Sequence, residues 1–313
     1  MRLPVGESRD TPTGSLISTL TTLGVRPGML ALVPTPDRST ADAERTRDYY
    51  DRLGRLEEDR LVQDVAGRVS FEVHRRLLAE HVRAGDRVLE IGAGPGRFTA
   101  ELARLGARVV VTDLSPVQLD LNRENLTGTA DEGNVERREL LDVCDLSRYD
   151  DYEFDVVVAY GGPLSYAFEA EESAVRGLLR VTRSGGRVLA SVMSMLGTWR
   201  HAPAGVTALA EALGEDVNDR VLATGDLRHV GGEHQCRMFR AHEVVDLVER
   251  AGGHVLATSA SNWASLADPD VLGRVEADPD RWARFLDHEV QACREPGALD
   301  GGTHVLVAAE PRP

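Results

Sequence analysis

Apolar residues follow two alternating patterns along this 313-residue chain. Short, nearly continuous apolar runs are typical of strands that are buried on both faces of a sheet. Between these runs, apolar residues spaced three and four apart indicate helices with one buried face. Strands are predicted at 87–91, 108–112, 135–140, 154–159, 187–192, 254–259 and 303–308. This alternation predicts an α/β fold with a doubly wound, mostly parallel seven-stranded sheet.

Helix signals occupy the segments between the predicted strands. A stripe of valine and leucine predicts a helix over 65–82. The sequence Ser115-Pro116-Val117-Gln118 places a capping serine before a proline at the first helical position. Further helices are predicted after the glycine turn at 92–96, at 169–182 and at 241–251.

The domain organisation follows from the segments that interrupt this pattern. Residues 1–45 are rich in Thr, Ser, Pro and Gly, and we expect a loosely ordered extension there. The remainder, 46–313, is predicted to be one domain, with a core at 86–192 and 241–309 and insertions at 195–238 and 262–300. Ligands bind at the carboxyl ends of strands in open α/β sheets, so we expect both insertions to form a helical lid.

The first predicted strand runs into a glycine-rich turn. Residues 88–96 read Val-Leu-Glu-Ile-Gly-Ala-Gly-Pro-Gly, and the second strand leads to Asp113. Such a loop lets the backbone approach a nucleotide-like ligand, while an acid after the second strand can bind ribose hydroxyls. Arg97 stands where a dinucleotide fingerprint has its third glycine. The pattern therefore predicts a nucleoside cofactor and disfavours NAD.

This segment, with Glu90 two residues before the first glycine, resembles the first motif of class I S-adenosylmethionine-dependent methyltransferases. The resemblance covers about residues 47–309 and implies a Rossmann-like methyltransferase fold with S-adenosyl-L-methionine as cofactor. It implies that the loop packs on the methionine part and that Asp113 binds the ribose. The cofactor-binding residues implied around these two features are Glu90, Gly92, Ala93, Gly94, Gly96, Asp113 and Leu114.

Three further segments extend the resemblance. Asp142 and Val143 match the family's acid that accepts from the adenine amine and the residue whose backbone N–H meets the ring. Tyr160 and Gly161, at the end of the fourth strand, are implied to line the cofactor near its sulfonium. A buried core aromatic is the alternative for Tyr160. Tyr50 lies in an aromatic segment that resembles the cofactor cover of many relatives.

Arg68 is a candidate for the carboxylate end of the cofactor. It precedes Glu90 by 22 residues, a spacing found in small-molecule enzymes similar to glycine N-methyltransferase. In these, the arginine holds the methionine carboxylate, which suits a planar guanidinium that pairs bidentately. A solvated helix residue is the alternative for Arg68.

The charge of the chain bears on the substrate. The net charge is −15, and all 36 basic residues are arginine. Proteins bind phosphate backbones through clustered Lys and Arg, so we expect no nucleic-acid partner. The segment after Ala159 also lacks the Asn/Asp-Pro-Pro-aromatic motif of methyltransferases that act on nucleic-acid bases. A small-molecule substrate is therefore favoured.

Compartment and partners can be predicted more coarsely. Cys144, Cys236 and Cys293 are far apart and predict reduced thiols in a cytoplasmic protein. No apolar run reaches the ~18 residues of a membrane span, so no membrane partner is expected. His229, His234 and Cys236 lack a further ligand at useful spacing, so no metal site is expected. The sequence leaves a homodimer open.

Methyl transfer from a sulfonium depends mainly on proximity and orientation. A general base helps only where the nucleophile loses a proton during attack. The candidate bases are His201, His229 and His234, of which His234 is selected as the catalytic residue. The sequence thus predicts a methyltransferase that modifies an N, O or C nucleophile of a small molecule, in specialised metabolism. A cofactor-binding regulator without turnover and an NAD(P)-dependent oxidoreductase are the alternatives.

Overall fold

The structure is a computed structural model, and it describes residues 40–60 and 63–312. Residues 1–39, most of the predicted extension, lie outside the described residues. Helix α1 spans Thr40–Leu53 and therefore begins before the predicted domain boundary at residue 45. The buried carboxylate of Asp42 in its first turn pairs with Arg45 and Arg228. Because Arg228 is distant in sequence, a local pattern could not show this anchor.

The remaining elements follow the predicted alternation of strands and helices. After α1, the helices are α2 Leu56–Arg60, α3 Val65–His81, α4 Arg97–Arg104, α5 Pro116–Leu126, α6 Glu171–Val181, α7 Met195–His201, α8 Pro203–Leu213, α9 Asp216–Thr224, α10 Ala241–Arg250, α11 Pro269–Glu276 and α12 Pro279–Cys293. The strands are β1 Arg87–Ile91, β2 Arg108–Asp113, β3 Val135–Leu140, β4 Phe154–Ala159, β5 Thr182–Met193, β6 Gly253–Ala260 and β7 His304–Pro311. All seven predicted strands are present.

The seven strands form one sheet in the order β3-β2-β1-β4-β5-β7-β6. Neighbouring strands are parallel except β7, which runs antiparallel to both β5 and β6. The prediction of a mostly parallel, doubly wound sheet is confirmed. The chain order reverses between β1 and β4, and ligands of open α/β sheets bind in the crevice at such a switch point.

Helices cover both faces of the sheet because the central strands are apolar on both sides. Alternate residues of a strand point to opposite faces. Leu89 accordingly packs in one core cluster with Leu178 of α6, whereas Val88 packs in the other with Leu77 of α3. All four side chains are at most 1% exposed. The central strands are therefore fixed, and their carboxyl ends provide a rigid base for a site.

Candidate active site

The turn after β1 combines close packing with open space. Gly92 has φ +70°, and a Cβ there would lie 2.6 Å from Cγ of Pro163. Gly96 has φ +98°, and a Cβ there would lie 2.7 Å from a methyl carbon of Leu126. Gly94, with φ +53°, has nothing within 4 Å of the same position. Two of the glycines thus let the loop pack, and the third leaves room for a ligand.

Asp113 holds this loop in place. One carboxylate oxygen accepts the backbone N–H of Gly94 at 2.9 Å, and the other accepts that of Ser115 at 2.8 Å. The residue is buried, and this burial raises the pKa of the carboxyl group to about 6. A carboxylate has about four acceptor sites. Asp113 can therefore accept ligand hydroxyls in addition to the two backbone bonds.

A cavity opens at the carboxyl ends of β1, β2 and β4. Its described lining consists of Thr46, Tyr50, Glu57, Ile91, Gly92, Gly94, Asp113, Leu114, Gln118, Leu141, Asp142, Val143, Tyr160, Gly161, Pro163 and Tyr166. This set contains nine of the residues implied for the cofactor: Tyr50, Gly92, Gly94, Asp113, Leu114, Asp142, Val143, Tyr160 and Gly161. We call this the cofactor cavity.

Three other loop residues implied for the cofactor do not line this cavity. Glu90 is 2% exposed and accepts a hydrogen bond from Oγ1 of Thr99 in α4 at 2.6 Å. Burial raises the pKa of its carboxyl group to about 8. Ala93 donates its N–H to the carbonyl of Thr112, and Gly96 faces α5. These residues support the loop from behind, because the chain turns away from the cavity there.

Arg68 is also placed elsewhere. Its Nε donates to Oε1 of Glu276 at 2.6 Å, which joins α3 to α11. The described lining of the cofactor cavity contains no arginine. The role implied for Arg68 at the methionine carboxylate is thus not supported. An acid from an insertion far along the chain occupies its guanidinium, and sequence spacing could not reveal that acid.

Helix α1 covers the cofactor cavity and is fastened to α5. Nε2 of Gln118 donates to the carbonyls of Tyr50 at 3.0 Å and Gly54 at 3.2 Å. Ser115 Oγ donates to the carboxylate of Asp51. Neither Gln118 nor Thr46 was assigned to the cavity from the sequence, although both residues line it. The helix periodicity of α1 contains no signal for these tertiary contacts.

Tyr160 fits both of its sequence interpretations. It contributes to the cavity lining, yet its ring lies in the core, 4.9 Å from the His74 ring and 5.2 Å from the Phe98 ring between centroids. Its hydroxyl is buried and has no hydrogen-bond partner among the described residues. Burial raises the pKa of this phenol above its ordinary value.

A chain of three polar side chains leaves the cofactor cavity. The hydroxyls of Tyr50 and Tyr166 lie 2.7 Å apart, and the Tyr166 hydroxyl lies 2.8 Å from Nε2 of His234. The His234 ring packs on Tyr49, with 4.9 Å between centroids. Tyr166 lines the cofactor cavity, whereas His234 lines a second one. We call this chain the Tyr–Tyr–His chain.

The second cavity lies under the insertion 195–238. Its described lining consists of Met193, Met195, Thr198, Trp199, Ala202, Val206, Leu209, Asn218, Val221, Leu222, Leu227, Val230, Gly231, His234, Cys236 and Met238. The other histidine candidates, His201 and His229, line neither of these two cavities. We call it the apolar cavity.

The insertion 262–300 differs from its predicted role. None of its described residues lines either cavity. Its helices α11 and α12 pack on α3, and Leu272, Trp282 and Phe285 join the core cluster there. An apolar helix face has to be buried against another element. This insertion therefore packs on the helical layer of the sheet. Of the two insertions, only 195–238 contributes described residues to the lining of a cavity.

An arginine joins the covering elements. Arg228 is 10% exposed, pairs with Asp42 of α1, Asp226 and Glu169, and lies over the Phe168 ring. These carboxylates raise the pKa of the guanidinium above its ordinary value, against the effect of its burial. A buried pair that loses one partner leaves an uncompensated charge. Arg228 thus fastens α1 to the insertion that covers the apolar cavity.

The described residues also bear on metal binding and on membrane crossing. Within 40–60 and 63–312, no three His, Cys, Asp or Glu side chains converge as the ligands of a metal would. No described helix combines the length and the apolar character needed to cross a bilayer. Cys236 and Cys293 are buried, and burial raises the pKa of both thiols.

Comparisons with known proteins agree with this geometry. Residues 88–186 match a family model described as a methyltransferase domain. The ubiquinone/menaquinone biosynthesis C-methyltransferase UbiE of Idiomarina loihiensis is 34% identical over 167 residues, which are 47% of this chain and 64% of that protein. This chain thus spans less than two thirds of that relative's length.

Solved structures show the same fold at low sequence identity. The CcbJ methyltransferase from Streptomyces caelestis matches with a TM-score of 0.54 and 15% identity, over 85% of this chain and 98% of that one. A chain of the complex between the Haloferax volcanii Trm112 methyltransferase activator and a methyltransferase matches with a TM-score of 0.55 and 18% identity, over the same shares.

The sheet order, the glycine loop and the acids after β2 and β3 define a Rossmann-like methyltransferase fold. The match over residues 88–186, together with this fold, supports assignment to the class I S-adenosylmethionine-dependent methyltransferases. S-adenosylmethionine is the methyl donor of this family.

Proposed function

We propose that this chain transfers a methyl group from S-adenosylmethionine to an N, O or C nucleophile of a small molecule. One observation carries the proposal. The cofactor cavity, with Asp113 and Asp142 in its lining, borders the Tyr–Tyr–His chain, and that chain leads to the apolar cavity. Two adjoining cavities with a polar group between them suit a cofactor and an acceptor.

The residues of the cofactor cavity fit S-adenosylmethionine. Asp113 is proposed to accept from the ribose hydroxyls and Asp142 from the adenine amine. The open space beside Gly94 and Gly161, where a Cβ would meet nothing within 4 Å, leaves room for the methionine part and the sulfur. Tyr50 would cover the ligand from α1. When bound, this cofactor supplies a methyl carbon on a positively charged sulfur, which departs as a neutral thioether.

The Tyr–Tyr–His chain is proposed to manage the acceptor's proton. An acceptor hydroxyl beside Tyr166 can donate its proton to the Tyr166 oxygen while the tyrosine's own proton passes to Nε2 of His234. The 2.8 Å separation of these atoms is within the range for proton transfer through a hydrogen bond. Tyr50 can donate to Tyr166 and so stabilise charge on its oxygen. His234 would therefore act through Tyr166 as the general base.

The chemical nature of the methyl acceptor can be proposed more narrowly. Relatives such as those of Idiomarina loihiensis and Pasteurella multocida are named as quinone-biosynthesis C-methyltransferases. Methylation of a ring carbon is thus a specific candidate, and the apolar lining of the second cavity supports it. A role in specialised metabolism is the other candidate context. The acidic net charge of −15 disfavours a nucleic-acid acceptor in either case.

The experiment measures cofactor binding and methyl transfer separately. Calorimetric titration with S-adenosylhomocysteine, compared with NAD, is expected to show saturable binding of the first compound alone. Incubation with methyl-labelled S-adenosylmethionine and a panel of small hydroxylated ring compounds is then expected to label at least one product. Preferential NAD binding would favour an oxidoreductase. Cofactor binding without transfer to any cell-extract metabolite would favour a binding protein without turnover.

A further inference from the structure

The apolar cavity has a composition that the rest of the chain does not share. Charged residues form 28% of the chain, yet the described lining contains no Asp, Glu or Arg. The ionisable side chains there are His234 and Cys236, and burial raises the pKa of the thiol, which keeps it neutral. A charged ligand would lose its hydration without gaining a counterion. The lining therefore selects against ions.

Methionine is concentrated around this cavity. Met193, Met195 and Met238 are three of the five methionines in the chain. Methionine is flexible and polarisable, and its sulfur contacts aromatic rings favourably. Trp199 also lines the cavity and is 39% exposed, so its ring forms an apolar rim. A ring compound could therefore enter past this rim and pack against adaptable side chains.

One polar group of the lining is bonded towards the cofactor cavity. His234 is part of the lining, and its Nε2 is bonded to the Tyr166 hydroxyl, which borders the cofactor. The side-chain amide of Asn218 instead donates a hydrogen bond to the carbonyl of Val206 in α8. A bound molecule thus meets His234 on the side of the cofactor cavity and mainly apolar side chains elsewhere. Its own polar group would be directed to His234.

We propose that the apolar cavity binds an uncharged, mainly apolar ring compound whose hydroxyl group points to Tyr166 and His234. The proposal rests on the proposed function, because it identifies the cavity's occupant as the methyl acceptor. It adds the chemical class of the acceptor and its position beneath residues 195–238. Neither the family nor the cofactor determines these two properties.

The test uses two probes of equal ring size, 2-naphthol and the anion 2-naphthoate. Calorimetric titration of the full chain, with and without S-adenosylhomocysteine, is expected to give at least about tenfold tighter binding of the naphthol. Val206→Trp, which fills the cavity, is expected to weaken naphthol binding at least about tenfold. Ala208→Trp, at an exposed position of the same helix, is the matched control and should leave it unchanged.

A second pair of variants tests the rim without altering the interior. Trp199→Ala is expected to weaken naphthol binding about three- to tenfold, and Leu196→Ala, which removes an exposed side chain outside the lining, is expected to have no effect. Equal affinity for naphthoate, or unchanged naphthol binding in both Val206→Trp and Trp199→Ala, would overturn the inference. Failure of S-adenosylhomocysteine to bind would overturn the proposed function instead, because the naphthol titration is also made without it.

Discussion

The Tyr166 hydroxyl lies 2.8 Å from Nε2 of His234, and this contact joins the two cavities of the molecule. We expect His234→Ala and Tyr166→Phe each to lower kcat for a hydroxyl acceptor by about 10²–10⁴-fold, because each removes a step of the proposed proton transfer. The affinity of His234→Ala for S-adenosylhomocysteine should stay within about twofold, since His234, unlike Tyr166, does not line the cofactor cavity.

His201→Ala provides the control for this pair, because His201 is exposed and lines neither cavity. Single-turnover transfer of a labelled methyl group separates the chemical step from product release. Equal losses in kcat for all three variants would indicate a general loss of structure. An unchanged kcat in both His234→Ala and Tyr166→Phe would show that the acceptor needs no base, as is the case for an amine that attacks as a neutral group.

Asp113 should make cofactor binding dependent on pH. Burial raises the pKa of its carboxyl group to about 6, and only the ionised form offers all of its oxygens to the ribose hydroxyls. Affinity for S-adenosylhomocysteine is therefore expected to fall as the pH drops below about 6. Asp113→Asn should weaken binding at neutral pH by at least about tenfold and flatten the pH profile.

Calorimetric titrations between pH 5 and pH 8 measure this effect. Asp145→Asn is the matched control, because Asp145 is an exposed acid near Asp142 that lies outside the described cavity lining. It should retain the affinity and pH profile of the unaltered chain. A profile in Asp113→Asn that still falls below pH 6 would assign the titration to another group.

The fold could be predicted from the sequence because most of the strands are short, largely apolar runs, although β3 reads Val-Glu-Arg-Arg-Glu-Leu. The predicted bounds 87–91 and 154–159 agree with β1 and β4 to the residue. The antiparallel direction of β7 has no local signal, since direction depends on how the chain returns to the sheet. The same holds for the start of α1 at Thr40, which depends on the pairing of Asp42 with Arg228.

The site could be predicted for residues whose location follows from a strand end or a turn in the local sequence. Gly94, Asp113 and Asp142 meet at one cavity because parallel strands end at the same edge of the sheet. Arg68 could not be assigned in this way, because its partner Glu276 lies 208 residues later. Tyr166 is similar: only the fold places its hydroxyl between Tyr50 and His234.

Gly94 and Gly96 should respond differently to alanine. Alanine is strained at both positions because both have positive φ, but a Cβ at Gly94 (φ +53°) also has open space in the cofactor cavity. Gly94→Ala is therefore expected to keep the fold and weaken S-adenosylhomocysteine binding at least about tenfold. At Gly96, φ is +98° and a Cβ would lie 2.9 Å from the Asn122 amide. Gly96→Ala is therefore expected to lower the free energy of unfolding by about 3 kcal/mol.

Urea denaturation compares the free energies of unfolding of the two variants, and calorimetric titration compares their affinities for S-adenosylhomocysteine. Each variant is the control for the other, since both add one methyl group within the same turn. If Gly94→Ala lost as much stability as Gly96→Ala, the space beside Gly94 would be needed for packing. Full cofactor affinity in Gly94→Ala would place the ligand away from this loop.

Glu90 should control how stability varies with pH. Burial raises the pKa of its carboxyl group from an ordinary 4.5 to about 8, so the folded chain favours the protonated form. Because the folded-state pKa is the higher one, this stabilisation is complete below about pH 4.5 and is lost as the pH rises through about 8. Glu90→Gln keeps a neutral group of the same shape and should remove that part of the dependence.

Urea denaturation at pH 5 and pH 8.5 measures the difference for the unaltered chain, Glu90→Gln and the control Glu172→Gln. Glu172 is 40% exposed and pairs with Arg176 on the surface, so its variant should follow the unaltered chain. Each unit of pKa shift corresponds to about 1.4 kcal/mol, and the unaltered chain should lose at least that amount over this range relative to Glu90→Gln. Parallel losses in all three proteins would mean that Glu90 is already ionised in the folded chain, and Thr99 would then be the group that stabilises its charge at the base of the glycine loop.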